Sequence, residues 1–128
     1  MKNKLVYIAH PVGGNIKANV KKILQLCHDI HKKNDSVIPF APYITALYYL
    51  NDKIKEERKL GMLANREHFR RKTMDEVCLY GPRISEGMKQ EIKLAIKYKI
   101  PIKVYNQEVK KDFELIAKKR VRISDWKK

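Results

Sequence analysis

The chain has 128 residues, 44% hydrophobic and 34% charged, with only five Gly and five Pro. That composition fits one globular domain (1–128) with a real core, and it excludes collagen-like, low-complexity and disordered chains. Twenty-nine Lys and Arg against fourteen acids give a formal charge of +15, which implies either an anionic partner or an evenly basic surface.

Lys4 to His10 (KLVYIAH) is an apolar run with a β-branched and aromatic bias, so it predicts a buried strand. A turn follows at Pro11, Gly13 and Gly14. Asn15 then stands as N-cap before a helical stripe of Ile16, Val20, Ile23, Leu24, Cys27 and Ile30 or His31. After the break at Asn34 and Asp35, Ser36 to Phe40 predicts a second strand, whose Pro39 and Pro42 send it into a loop. The aromatic-rich stretch Tyr43 to Tyr49 leads to a charged helix over Asp52–Lys72. Its apolar members (Ile54, Leu60, Met62, Leu63 and Phe69) are sparse, which predicts a surface helix or a cover.

Glu76 to Tyr80 is a third strand, stopped by Gly81 and Pro82. Ser85 opens a helix with Met88, Ile92, Ala95 and Ile96 inward. Pro101 to Tyr105 is a fourth strand. A tail helix turns Val109, Phe113, Ile116 and Ala117 inward, and Arg120–Ile123 alternates like a short edge strand. The pattern gives no position for the end of the chain, Trp126 included. Strands alternating with helices imply parallel crossovers. The expected class is therefore α/β: a Rossmann-like parallel sheet of four to five strands with helices on both faces.

The charge excess is about +4 over 17–33, +5 over 53–72 and +4 over 106–128. It is spread along the chain, which favours a small anionic ligand over a nucleic acid as partner. No apolar run approaches 18 residues and Leu5–Ala9 is too short for a signal-peptide core, so no membrane partner is expected. Cys27 and Cys78 lack metal-ligand spacing and read as small hydrophobes in a reducing compartment, the cytoplasm. Neither a metal nor a cofactor is signalled; His28 and His31 share a helix, but no third ligand accompanies them.

In open parallel sheets, ligands bind beyond the carboxyl ends of the strands. Three loops lie there: His10–Asn15, Phe40–Tyr43 and Gly81–Gly87. The first joins a strand to a helix N-terminus, where backbone N–H groups suit an anion, although its glycines follow neither the P-loop nor the dinucleotide spacing. His10 is the one histidine well placed for chemistry. In the third loop Ser85 is an N-cap and Glu86 faces the helix dipole. Gly87 costs a helix up to ~1 kcal/mol against Ala, and is better explained by close approach of a ligand. Glu91 falls beside the inward stripe of its helix. It is either a helix-edge glutamate paired with a lysine, or a carboxylate aimed across the strand ends as nucleophile or base.

With these residues laid out, the chain resembles the nucleoside 2-deoxyribosyltransferase-like superfamily, in particular its small, uncharacterised, often phage-encoded members. LVYIAHPVGGN, with Asn19 following, is similar to the family's first strand and helix start. VIPFAPY, LNDKIKEERKLGM and MDEVCLYGPRISEGMKQEIKLAIKYKIPI are similar to its later blocks. The match spans about residues 4–105; a C-terminal helix and basic tail follow over 106–128. The resemblance implies a glutamate that attacks the anomeric carbon of a nucleoside or nucleotide, at Glu91, with Tyr7 beside it. It places Ser85, Glu86, Gly87 and Met88 where the family contacts sugar or 5′-phosphate, and it implies a homo-oligomer. His10 stands where the family has Gly, adding bulk or a proton donor, and Tyr43 stands where it has His. The expected function is cleavage or exchange of an N-glycosidic bond. The alternatives are a non-catalytic protein that sequesters a nucleotide, of the phage counter-defence type, and a charge-driven nucleic-acid binder.

Overall fold

The computed structural model describes residues 2–125. Its elements run β1 (Lys4–Ala9), α1 (Ile16–Lys33), β2 (Val37–Phe40), α2 (Tyr43–Tyr49), α3 (Lys55–Arg70), β3 (Glu76–Leu79), α4 (Glu86–Lys97), β4 (Ile102–Val104) and α5 (Gln107–Ala117). The four strands form one parallel sheet in the order β2-β1-β3-β4, with Tyr7 level with Phe40 on one side and Val77 on the other. This is a Rossmann-like α/β fold. The chain order reverses between β1 and β3, the neighbours at the centre of the sheet, and a crevice opens at such a switch point.

The alternation of side chains along the strands sorts the core into two layers. Val6, Ile8 and Cys78 pack with Ile23 and Ile30 of α1 on one face. Tyr7, Ala9, Val77 and Leu79 turn to the other face, against Phe69 of α3, Met88, Ile92 and Ala95 of α4, and Val109 and Phe113 of α5. Asn15 caps α1 by accepting from the Ala18 N–H at 3.1 Å, and Ser85 caps α4 through the Met88 N–H at 3.2 Å. Among the described residues no helix is long and apolar enough to cross a membrane.

Several expectations are corrected. Ile16, Leu24 and Ile96 are exposed rather than inward, because each stands at the edge of its stripe beyond the reach of the sheet. Tyr43–Tyr49 is a helix of its own, and α3 starts only at Lys55 because residues 51–54 form a turn in which the Ile54 N–H bonds to the Asn51 carbonyl at 3.0 Å. Arg120–Ile123 does not form a fifth strand. A left-handed Lys118 ends α5, and only Ile123 makes a bridge, to Val104 of the short β4. Trp126 lies outside the described residues.

Candidate functional site

The inward stripe of α4 includes a carboxylate. Glu91 is 8% exposed, between the helix and the sheet, and the hydroxyl of fully buried Tyr7 on β1 donates to its Oε2. From α3, the Asn65 Nδ2 donates to the Tyr7 oxygen at 2.9 Å. Burial pushes the Glu91 carboxyl up to about 8, while the hydrogen bonds from Tyr7 and Asn65 pull it the other way. Desolvation dominates because the carboxyl is enclosed between α4 and the sheet, leaving little water to stabilise a charge. Tyr7 is held well above the usual phenol range, first by burial and then by the Glu91 charge. At pH 7 a carboxyl with a pKa of about 8 is roughly one-tenth ionised.

Asn65 joins the candidate site and was not singled out in the sequence. Its Oδ1 is buried and accepts no hydrogen bond. Asn65 and Tyr43 also line a groove of about 290 Å³ between α2 and α3. Both touch Tyr7: the Tyr43 ring lies 5.7 Å from the Tyr7 ring. The groove is therefore one side chain away from the carboxyl. Tyr43 is fastened there by its hydroxyl, which donates to the Ile8 carbonyl at 2.6 Å.

The remaining candidates lie in the two loops of the switch point. Gly81, at φ +104°, packs so tightly that a Cβ would stand 2.4 Å from the Pro11 Cδ, and this fixes the two loops against each other. His10 Nδ1 lies 2.8 Å from the Pro11 carbonyl oxygen; a carbonyl only accepts, so Nδ1 carries the proton. Burial lowers the His10 pKa, and the charges of Lys22 and Arg83 lower it further. With Nδ1 held by the Pro11 carbonyl, Nε2 is the ring nitrogen left for a ligand. Neither Lys22 nor Arg83 stood out in the sequence, where the basic residues are too many to single any out.

Asn19 spends its amide on the loop, donating to the carbonyls of Val12 and Gly13 at 2.9 and 3.2 Å, so it shapes the turn. Gly14 takes φ +95°, whereas Gly13 and Gly87 have room for a Cβ. Among the described residues nothing packs closely enough to explain their lack of a side chain. Asn15, Glu86 and Gly87 are exposed, and Glu86 pairs with Lys89 at 3.4 Å. Met88 is in the core at 1% exposure, on the inner face its spacing predicts, and its N–H is taken by Ser85. The structure thus joins Tyr7 and Glu91 directly, sets Met88 in the core, and leaves the other candidates exposed or half-buried at the strand-end loops and the first turns of α1 and α4. Among the described residues no three His, Cys, Asp or Glu gather as a metal site.

The fold and the site define an α/β domain with a buried carboxyl–phenol pair beneath its strand ends. The chain belongs to the family described as a domain of unknown function (DUF7768), whose model matches residues 4–105. Among solved structures it is similar to a conserved protein from Enterococcus faecalis V583, at 22% identity and a TM-score of 0.59, over 90% of this chain and 74% of that one. That likeness is one of fold alone. No curated protein matches the chain significantly.

Proposed function

We propose that the protein cleaves or exchanges the N-glycosidic bond of a nucleotide, with Glu91 as nucleophile. The observation that carries this reading is the direct hydrogen bond from Tyr7 to a glutamate held inside the protein, the two residues that the sequence resemblance pairs. The ionised Glu91 oxygen attacks the anomeric carbon. The C–N bond breaks, its electron pair goes to the base nitrogen, and that nitrogen takes up a proton. Water or a second base then displaces the glutamyl ester. Tyr7 and Asn65 favour the ionised form of Glu91, against the burial that opposes it. The bearing of Lys22 and Arg83 on His10 supports an anionic ligand at the switch-point loops, hence a nucleotide over a nucleoside. With Cys27 and Cys78 both unbridged, the compartment proposed is the cytoplasm.

The test is release of free base from nucleoside monophosphates, deoxynucleotides and NAD, followed by chromatography beside Glu91→Ala. Release by the native chain and not by the variant is the expected result. Equal release by both would overturn the reading.

A second reading is favoured by the pKa of about 8: a carboxyl mostly neutral at pH 7 serves as a hydrogen-bond partner for a ligand rather than as a nucleophile. The protein then binds and sequesters a nucleotide. Calorimetry would give saturable heat with mononucleotides or cyclic nucleotides, and no base would appear over hours.

A further inference from the structure

Glu91 lies inside the fold, yet a carboxyl that acts on a ligand has to meet it. The groove of about 290 Å³ between α2 and α3 ends at Tyr43 and Asn65. Both side chains stand against Tyr7, whose hydroxyl donates to Glu91. The two walls of the groove are held unequally. Helix α3 is anchored by Phe69, which is fully buried. None of the residues of α2 is buried, and Tyr48 and Tyr49 are 76% and 65% exposed. A second recess, of about 460 Å³, lies at the C-terminal end of α2, bounded by Tyr48, Asp52 and Ile16 of α1. The two helices meet through small residues, so that a Cβ on Gly61 would stand 3.9 Å from that of Ala46. Helix α2 is tied to the sheet at its first residue, by the Tyr43 hydroxyl on the Ile8 carbonyl.

We propose that α2 is a lid over the Tyr7–Glu91 pair, latched by Tyr43. When the latch opens, the helix swings out between β2 and the turn at 51–54, the groove deepens to Tyr7, and Glu91 meets solvent and ligand. Segments with few buried apolar contacts open at the lowest cost, and α2 is the wall of that kind. Its closure over a bound ligand would exclude water from the carboxyl. That use of the lid rests on the reading of Glu91 as the reacting group; the opening itself does not.

The experiment pins α2 to α3. The Cβ separation at 46 and 61 suits a disulfide, for which about 3.8 Å is typical. Ala46→Cys/Gly61→Cys, in a Cys27→Ser background, is therefore compared oxidised and reduced. The folded chains are treated with a water-soluble carbodiimide and glycine ethyl ester, and the modified glutamates are read by mass spectrometry. Glu76, 1% exposed and bonded to Cys78 on the opposite face of the sheet, reports global unfolding. In the reduced protein Glu91 is expected to label about tenfold or more faster than Glu76, and the disulfide is expected to remove that difference. Tyr43→Phe, which loses the latch, is expected to label Glu91 roughly fivefold faster than wild type. Labelling of Glu91 that the disulfide leaves unchanged, or that only keeps pace with Glu76 in the reduced protein, overturns the lid. Base release is measured on the same samples. If neither form releases base while the disulfide still shields Glu91, the lid stands and the glycosidic reading falls.

Discussion

Asn65 of α3 and Tyr7 of β1 meet at 2.9 Å across 58 positions of sequence, and the amide that makes this contact leaves its own carbonyl oxygen without a donor. An unsatisfied buried acceptor costs about 1–3 kcal/mol. Asn65→Leu is therefore expected to unfold at the same or a higher urea concentration than the wild type. The same substitution removes a hydrogen bond that lowers the Glu91 pKa, so the carboxyl is expected to titrate above its present value of about 8. Carbon-detected NMR of labelled glutamate reads this directly, and an unchanged Glu91 titration would contradict it.

Burial of Glu91 also fixes how stability responds to pH. Its folded pKa, about 8, lies above the ordinary 4.5, so between these values the folded chain holds a proton that the unfolded chain has released. The associated stability is fully present below about pH 4.5 and is lost as pH rises through about 8. Glu91→Gln keeps the shape without the charge. It is expected to be more stable than wild type at pH 8.5, by on the order of a few kcal/mol, with the gap closing towards pH 4.5. Urea unfolding of both proteins across that range checks the sign.

Much of this was legible in the chain because periodicity reports burial. The centre of the α1 stripe (Val20, Ile23 and Ile30) and the Asn15 and Ser85 caps follow from spacing, and the strand–helix alternation implied the parallel sheet; spacing put Glu91 beside the inward stripe of α4 but left open whether it faces in or pairs at the helix edge. Asn65 was not legible. Its only signal is that it sits four residues after Gly61 and four before Phe69, on the inner side of a helix dominated by charge. Helix α2 was hidden for a related reason: none of its residues is buried, so no apolar stripe marks it. Sequence order also says nothing of Pro11 against Gly81, a contact made by two loops.

That contact separates glycines that the fold requires from glycines that it does not. Gly81 has a positive φ, and an added Cβ would overlap Pro11. Gly81→Ala is expected to cost about 2–4 kcal/mol, from left-handed strain together with overpacking. Gly87 has an ordinary φ, and an added Cβ would meet nothing closer than the Ser85 Oγ at 3.9 Å. Gly87→Ala should leave stability unchanged or raise it by up to ~1 kcal/mol, as alanine does within a helix. If a ligand approaches the backbone there, the same variant binds nucleotide more weakly. Thermal melts beside calorimetry separate the two effects, and full binding by Gly87→Ala would remove this loop from the ligand site.

The acid–base state of the pair gives the last prediction. An attacking Glu91 must be ionised, and in the free protein its pKa is about 8. The pH profile of kcat/KM for base release should therefore rise through pH 7 and level off above about 8, since that parameter reports the free enzyme. Tyr7→Phe removes the hydroxyl whose hydrogen bond lowers the Glu91 pKa, so its rising limb moves to higher pH. The loss relative to wild type is then greatest near pH 7 and shrinks as the medium becomes basic. A hydroxyl needed only for packing would lower the profile by the same factor at every pH. Glu91→Gln, which cannot form the ester, is expected to lose ~10²–10⁴ in rate across the whole range.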